Sequence, residues 1–73
     1  MEVKIGAIYR HYKGNAYKVI NIGVHTETGE KMVIYSPIND PNRIWIRPSI
    51  MWHDIIDYDK GIKRFEEIDN GEI

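Results

Sequence analysis

The segment Arg43-Ile44-Trp45-Ile46-Arg47 places residue types that bind anions and nucleic-acid bases in one short stretch. Side chains of an extended strand alternate between two faces, so Ile44 and Ile46 share one face and Trp45 shares the other with both arginines. If the isoleucines face the core, an indole flanked by two guanidinium groups faces outward, which suits base stacking and contact with phosphate or carboxylate. The competing interpretation is that Trp45 covers the open end of the core with an arginine packed on its ring, a cation–π pair that needs no ligand.

Residues 9–13 mix rings and cations in the same way. Alternation places Tyr9 and His11 on one face of a strand and Arg10 on the other. One face must be substantially buried in so small a domain, so His11 or Arg10 needs a hydrogen-bond partner inside the core or at its rim. Glu27, or free carbonyl groups at a strand end, could be that partner. Structural hydrogen bonding therefore explains much of this block without a ligand.

His25 and Glu27 would share one side of an extended loop, which invites a metal or acid–base interpretation with His11 or His53 as helper. The chain has three histidines with no His-x-His or His-x-x-x-His pair and no cysteine, so we expect no metal and no cofactor. A turn in which Thr hydroxyls and the Glu27 carboxylate bind loop amides is the simpler account of this polar cluster. Neither a nucleophile elbow nor a glycine-rich phosphate loop is present. A small His-dependent enzyme, with His11, His25 and Glu27 as an acid–base site, remains a minor alternative.

Turn signals recur roughly every 8–12 residues and predict short antiparallel strands. The expected strands are 7–12, 16–24, 31–36, 43–47, 52–57 and 62–68, the last two forming a hairpin, with one helical turn at 48–51. Lys13-Gly14-Asn15 predicts a tight reversal, because Gly14 or Asn15 can adopt positive φ. In the second strand the apolar side switches near residues 19–20, which predicts a bulge or bend, and Gly23 offers a second kink.

The expected fold class is all-β: a small barrel or roll of five to six short antiparallel strands, Src-homology-3-like, with at most one short helical turn. The 73 residues leave no room for a second core, so residues 1–73 are expected to form a single small β-barrel domain with its compact part at about 5–68. The start of the chain leads into no long apolar segment, and no apolar run approaches the roughly 20 residues that span a bilayer. We therefore expect a cytoplasmic location and no membrane partner.

Charge is distributed unevenly along the chain. Ten Lys/Arg and eleven Asp/Glu give a net charge of −1, which argues against indiscriminate binding to polyanions. Residues 1–47 hold seven Lys/Arg and four Asp/Glu, a net of +3, whereas residues 48–73 hold three and seven, a net of −4. Pairing of opposite charges across adjacent strands would explain this pattern, and a functional basic face is the alternative.

Several short blocks between residues 9 and 65 form a distinctive set. They are Tyr9-Arg10-His11-Tyr12-Lys13-Gly14-Asn15, Tyr17, Val19, His25-Thr26-Glu27-Thr28, Val33, Tyr35, Trp45-Ile46-Arg47-Pro48, Met51, Gly61 and Arg64-Phe65. Together they resemble the successive motifs of a bacterial family known as domain of unknown function 1653, with Trp52 after Met51 where that family would have Phe. The resemblance implies a compact, β-rich bacterial module and brings with it no established activity, ligand or catalytic residue.

The leading hypothesis is a non-catalytic binding module. Its expected contact residues are Tyr9, His11, Lys13, Tyr35, Arg43, Trp45 and Arg47. RNA fits the interleaved rings and cations, whereas a protein or peptide fits the near-neutral charge and the Tyr, Trp and Arg bias of interface hot spots, and the sequence leaves this choice open. A structural or self-association module, pairing edge to edge through residues 62–68, is the alternative, although the charged side chains of that strand oppose it.

Overall fold

The computed structural model describes residues 3–69, which form seven strands and one short helix. In chain order these are β1 (Ile8–His11), β2 (Ala16–Val24), β3 (Lys31–Pro37), β4 (Trp45–Pro48), α1 (Ser49–Trp52), β5 (Ile55–Asp57), β6 (Ile62–Lys63) and β7 (Phe65–Ile68). Five strands form an antiparallel sheet in the order β4-β3-β2-β1-β7, and β5 and β6 form a separate hairpin. The expected all-β class is confirmed. The five-stranded sheet is open and is not closed into a barrel.

The bulge predicted in β2 is present. The pairing of β2 with β3 shifts between Val19 and Asn21, so Ile20 is an extra residue in β2. This extra residue returns Ile22 to the core side of the sheet, where it packs against the buried cluster. Gly23, which offered a second kink, pairs in regular register.

The reversal between β1 and β2 is as tight as predicted. Gly14 has φ +112°, a conformation that L side chains rarely adopt. The turn is closed by two short backbone hydrogen bonds: Gly14 N–H donates to the His11 carbonyl at 2.7 Å, and His11 N–H donates to the Asn15 carbonyl at 2.7 Å. The turn therefore fixes the end of β1, where His11 lies.

The core lies on one face of the five-stranded sheet and is covered by Trp52. Val19 and Val33 are fully buried at its centre, and Trp52 is only 1% exposed. Trp52 stacks face to face on Phe65 with ring centres 3.7 Å apart, and it meets Tyr9 edge to face at 5.4 Å. The helix that carries Trp52 has four residues and no side-chain cap, so packing of the indole positions it. No helix among residues 3–69 is long and apolar enough to cross a membrane.

The expected strand 62–68 is divided at Arg64. Ile62–Lys63 pairs with β5, as the predicted hairpin requires, but Phe65–Ile68 pairs with β1 as an edge strand of the main sheet. Arg64 joins the two parts: its backbone N–H donates to the Asp54 carbonyl at 2.8 Å, and its own carbonyl accepts from Tyr12 N–H at 2.9 Å. Directly after the break, Phe65 joins the main sheet and its ring is buried in the core.

Replacing Trp52 should show how much of the fold depends on the indole. We expect Trp52→Ala to lower the free energy of unfolding by about 3–5 kcal/mol, which is comparable with the whole stability of a domain this small. Urea denaturation followed by circular dichroism measures the loss, and Trp52→Phe, which retains a ring, should lose less. Tyr58→Ala is the control, because Tyr58 is 82% exposed and its removal should change stability by no more than about 0.5 kcal/mol. Near wild-type stability in Trp52→Ala would contradict this account of the core.

Candidate functional site

Three buried rings form an aromatic floor near the β1–β2 turn: Tyr17 from β2, Tyr35 from β3 and Phe65 from β7. Tyr17 and Tyr35 have ring centres 5.4 Å apart, and each lies 6.0 Å from Phe65. All three contacts are edge to face, the arrangement that aromatic quadrupoles favour. The floor therefore provides a rigid base for the groups that lie on it.

An upper layer of three side chains, His11, Trp45 and Arg47, rests on this floor. Trp45 lies 5.7 Å from Tyr17 and 6.0 Å from Tyr35, and it is 40% exposed. His11 and Arg47 are half-buried. The upper layer thus combines an indole, an imidazole and a guanidinium group at the surface of one aromatic cluster.

The orientation of β4 corrects the first interpretation of its sequence. Ile44 and Ile46 are 53% and 61% exposed, so the interpretation in which they face the core is wrong. Trp45 is paired in register with Tyr35, and burying part of an indole against the aromatic floor removes more apolar surface from water than an isoleucine would. The competing interpretation, in which Trp45 covers the edge of the core, is closer to the structure. The arginine of that interpretation packs on Phe65 instead of Trp45.

Arg47 is the least compensated charge of the upper layer. Its guanidinium carbon lies 5.6 Å from the centre of the Phe65 ring, and its Nε donates a hydrogen bond to the Tyr35 hydroxyl at 3.4 Å. The ion pairs of residues 3–69 join other side chains, so no carboxylate of this part of the chain neutralises Arg47. A half-buried guanidinium group without a counter-ion is costly, and its remaining donors are free to bind an anion.

His11 lies in a positive environment. Its ring is 5.0 Å from Phe65, and its Nδ1 accepts a hydrogen bond from the backbone N–H of Lys13 at 3.2 Å. An accepting Nδ1 places the proton of the neutral ring on Nε2. Burial, followed by repulsion from Arg47, Arg64 and Lys13, lowers the pKa of His11 below its ordinary value of 6.5. Glu27, considered from the sequence as a partner for His11 or Arg10, instead contacts His25 and Thr26.

Two clefts flank the upper layer. The basic cleft, about 520 Å³, has a lining that includes His11, Gly14, Lys60, Lys63 and Glu66. The Trp45 cleft, about 420 Å³, has a lining that includes Asn15, Tyr17, Asp40, Arg43 and Trp45. The β1–β2 turn borders both, because consecutive residues of this turn line one cleft and then the other.

The cations of the acidic C-terminal part were missed by the sequence-based interpretation. Residues 48–73 contain three such cations. Lys60 and Lys63 line the basic cleft together with His11, and Arg64 contributes to the positive environment of His11. Asp54 pairs with Arg64 at 3.2 Å and offsets part of this charge. No local pattern indicated the grouping, because it depends on how the hairpin packs beside β1.

The structure places the seven expected contact residues in different environments. Tyr35 contributes to the floor, and His11, Trp45 and Arg47 form the upper layer, with Lys13 beside His11. Tyr9 is 6% exposed and packs on Trp52 in the core. Arg43 lies in the loop before β4, where its Nε forms an ion pair with Asp40 at 2.9 Å.

The His25 and Glu27 cluster is a self-contained turn. Glu27 N–H donates to His25 Nδ1 at 3.2 Å, and the Thr26 hydroxyl donates to the Glu27 carboxylate at 2.8 Å. This turn follows β2, whereas His11 pairs near the start of that strand, which puts the two histidines on the order of 25 Å apart along the strand. The acid–base site of His11, His25 and Glu27 is therefore not formed. No group of three or more metal-ligating side chains occurs within residues 3–69.

These features define a small β module with an open sheet and an aromatic surface rich in cations. The family model for proteins of unknown function DUF1653 matches residues 7–67, so the chain belongs to this family, as the motif resemblance indicated. Among solved structures, the chain is similar to a DUF1653 protein from Bordetella bronchiseptica. That crystal structure is 27% identical in sequence, with a TM-score of 0.75 over 92% of this chain and 88% of that one. None of the curated proteins matches the chain.

The lowered pKa of His11 predicts how stability depends on pH. Below about pH 6.5 the unfolded chain binds a proton at His11 that the folded protein resists, so the free energy of unfolding should fall as the pH falls through this window. Above the window His11 is neutral in both states and contributes no pH dependence. Urea midpoints measured from about pH 5 to pH 8 should decline less on acidification in His11→Gln than in the wild type. Identical pH profiles for the two proteins would contradict the assignment.

Proposed function

We propose that the chain is a non-catalytic binding module for single-stranded RNA, which would lie across the upper layer between the two clefts. The observation that carries this proposal is Arg47, a half-buried guanidinium group that rests on an aromatic ring and has no counter-ion among residues 3–69. Backbone phosphate is an anion that such a group binds strongly.

The aromatic component also fits a single strand. Trp45 exposes part of its indole beside Arg47, and proteins that bind single strands combine stacking rings with cations that follow the backbone. RNA recognition of this kind uses unpaired bases, whose faces are free to stack. A floor of edge-to-face rings holds Trp45 in place, so little side-chain entropy would be lost on binding.

Local charge supports an anionic ligand although the whole chain is slightly acidic. Lys13 and Arg64 lie near His11, and Lys60 and Lys63 line the basic cleft that His11 also lines. Two acidic groups nearby have partners of their own: Glu67 pairs with Lys4 at 3.5 Å, and Asp57 accepts backbone N–H groups of Asp59 and Lys60. The positive region is limited in extent, so we expect a short binding site whose affinity depends on salt.

An amide NMR titration with a pool of short single-stranded RNAs, at low and then high salt, tests the proposal. We expect shifts in residues 10–15, 45–47 and 60–64 that disappear at high salt. Arg47→Gln should weaken binding and reduce the slope of log affinity against log salt by about 0.7, the value for one lost phosphate contact on a single strand. Lys31→Gln removes one exposed charge that lines neither cleft, and it should leave the slope unchanged. Equal effects of the two variants, or no shifts at millimolar RNA, would refute the proposal.

Trp45→Ala tests the stacking component separately. Loss of one stacked base should cost about 1–3 kcal/mol of binding free energy, and this loss should persist at every salt concentration, because stacking releases no counter-ions. The same titration, repeated with this variant, measures the effect. A variant that binds RNA as tightly as the wild type would place the ligand away from Trp45.

Binding of a protein is the second candidate function, and a different observation favours it. Nine of the thirteen exposed large apolar side chains of the described residues lie within residues 44–62. Among them Ile46 lies opposite Ile34 on the outer face of the sheet, away from the aromatic floor. Grouped exposed apolar side chains are typical of protein interfaces. Self-association through this face would give a dimer in sedimentation velocity that Ile46→Lys abolishes, whereas RNA binding through the upper layer should survive that substitution.

A further inference from the structure

Cations converge on His11 from several elements. The charges that act on it are Lys13 from the turn after β1, Arg47 from β4 and Arg64 before β7, and the rings of Tyr12 and Tyr17 lie beside it. The basic cleft, which His11 also lines, adds Arg10, Lys60, Lys63 and Glu66. Glu66 is the one carboxylate in this set, and its backbone partner in the sheet is Arg10. Asp54 neutralises part of Arg64. The remaining charge next to His11 is positive.

Arg47 and His11 both pack against the ring of Phe65. The Arg47 guanidinium carbon and the centre of the His11 ring both lie within 5.6 Å of the centre of Phe65. Lys13 is tied to His11 through its backbone N–H, and its ammonium group lies 5.9 Å from the centre of the Tyr12 ring. A guanidinium group and an imidazole therefore pack against one ring, and the charge of Lys13 is close enough to lower the pKa of that imidazole.

We infer that Arg47, His11 and Lys13 form a site for one phosphate group, and that His11 takes up a proton when the phosphate binds. The inference rests on the proposed function, because the phosphate would belong to the RNA backbone. Arg47 would offer its fork of N–H donors, and Lys13 its compact charge. The neutral His11 already has its Nε2–H available as a donor, because Nδ1 accepts from Lys13.

The proton comes from solvent and adds to the lone pair of His11 Nδ1. Protonated Nδ1 is a donor, so it can no longer accept the hydrogen bond from Lys13 N–H. That backbone N–H is then free to donate to the phosphate, and no covalent bond to the ligand forms or breaks. Proton uptake and anion binding would thus use the same rearrangement at the start of the β1–β2 turn.

Electrostatic interactions explain why proton uptake by His11 is linked to phosphate binding. In the free protein burial and three neighbouring cations hold the pKa of His11 below 6.5. A bound phosphate offsets the charge of Arg47 and Lys13, so the pKa of His11 rises in the complex. By linkage, affinity for the anion increases as the pH falls through the interval between the free and bound pKa values, by up to about tenfold per pH unit.

Sulfate is the test ligand, because it is a tetrahedral oxyanion whose charge does not change between about pH 5 and pH 8. The pKa of His11 is measured from its imidazole NMR signals in chloride and then in sulfate at equal ionic strength. We expect sulfate to raise this pKa and to bind more tightly at low pH. His25 lies in its own turn with Glu27, and His53 lines a separate cavity with Val24 and Lys31. The ring signals of both should keep their positions at fixed pH when sulfate replaces chloride.

Variants of Arg47 show whether the response belongs to this site. Arg47→Gln should remove the effect of sulfate on the pKa of His11, and Arg47→Lys, which keeps the charge without the fork, should retain part of it. Amide spectra confirm that both variants are folded, and exposed Lys13→Gln provides a substitution outside the aromatic cluster that should weaken sulfate binding severalfold. A His11 titration that is the same in chloride and sulfate, or the same response in Arg47→Gln, overturns the inference.

The sulfate experiment tests the phosphate site and the RNA experiment tests the proposed function, so either can be refuted without the other. RNA binding without a sulfate response at His11 overturns this site and leaves the proposed function standing. A sulfate response that requires Arg47, together with no RNA binding, supports the site and refutes the proposal of RNA as its ligand.

Discussion

The stack of Trp52 on Phe65, with ring centres 3.7 Å apart and planes 4° apart, is the contact on which the rest of the structure depends. Trp52 ends the helix that follows β4, and Phe65 begins β7, so the stack links the segments at the two edges of the five-stranded sheet. Within residues 3–69 no backbone ladder joins those edges. In a domain this small, one large ring pair therefore decides whether the core is enclosed.

The same ring explains where the candidate site lies. Phe65 supports Arg47 at 5.6 Å and His11 at 5.0 Å while its stack with Trp52 keeps it buried. The Arg47 and His11 part of the site is consequently built on the core itself, which holds these two groups in a fixed arrangement. The aromatic floor therefore contributes both to the stability of the fold and to the candidate site. Substitutions in the floor would alter stability and binding together, whereas substitutions in the upper layer would alter binding more than stability.

The parts of the fold that depend on local pattern could be predicted from the sequence. The residue pattern predicted β2 with its observed bounds, and the switch of the apolar side predicted the bulge at Ile20. The ability of glycine to adopt positive φ predicted the turn at Gly14. The face of β4 could not be assigned, because an Arg-Ile-Trp-Ile-Arg strand has two plausible inner faces and the register with Tyr35 decides between them. The position of Lys63 in the lining of the basic cleft could not be predicted either. It depends on the β5–β6 hairpin, and the predicted strand 62–68 is divided at Arg64, directly after Lys63.

Arg47 forms no ion pair with a carboxylate of residues 3–69. Two other arginines form ion pairs: Arg43 pairs with Asp40 and Arg64 with Asp54. Exposed lysines need none, because water solvates them, but a half-buried guanidinium group retains a desolvation cost that one nearby carboxylate would reduce. A chain with eleven acidic residues has the means to supply that carboxylate. Leaving it out costs stability and keeps the donors of Arg47 available, which is the compromise expected of a group that binds an anion from outside the chain.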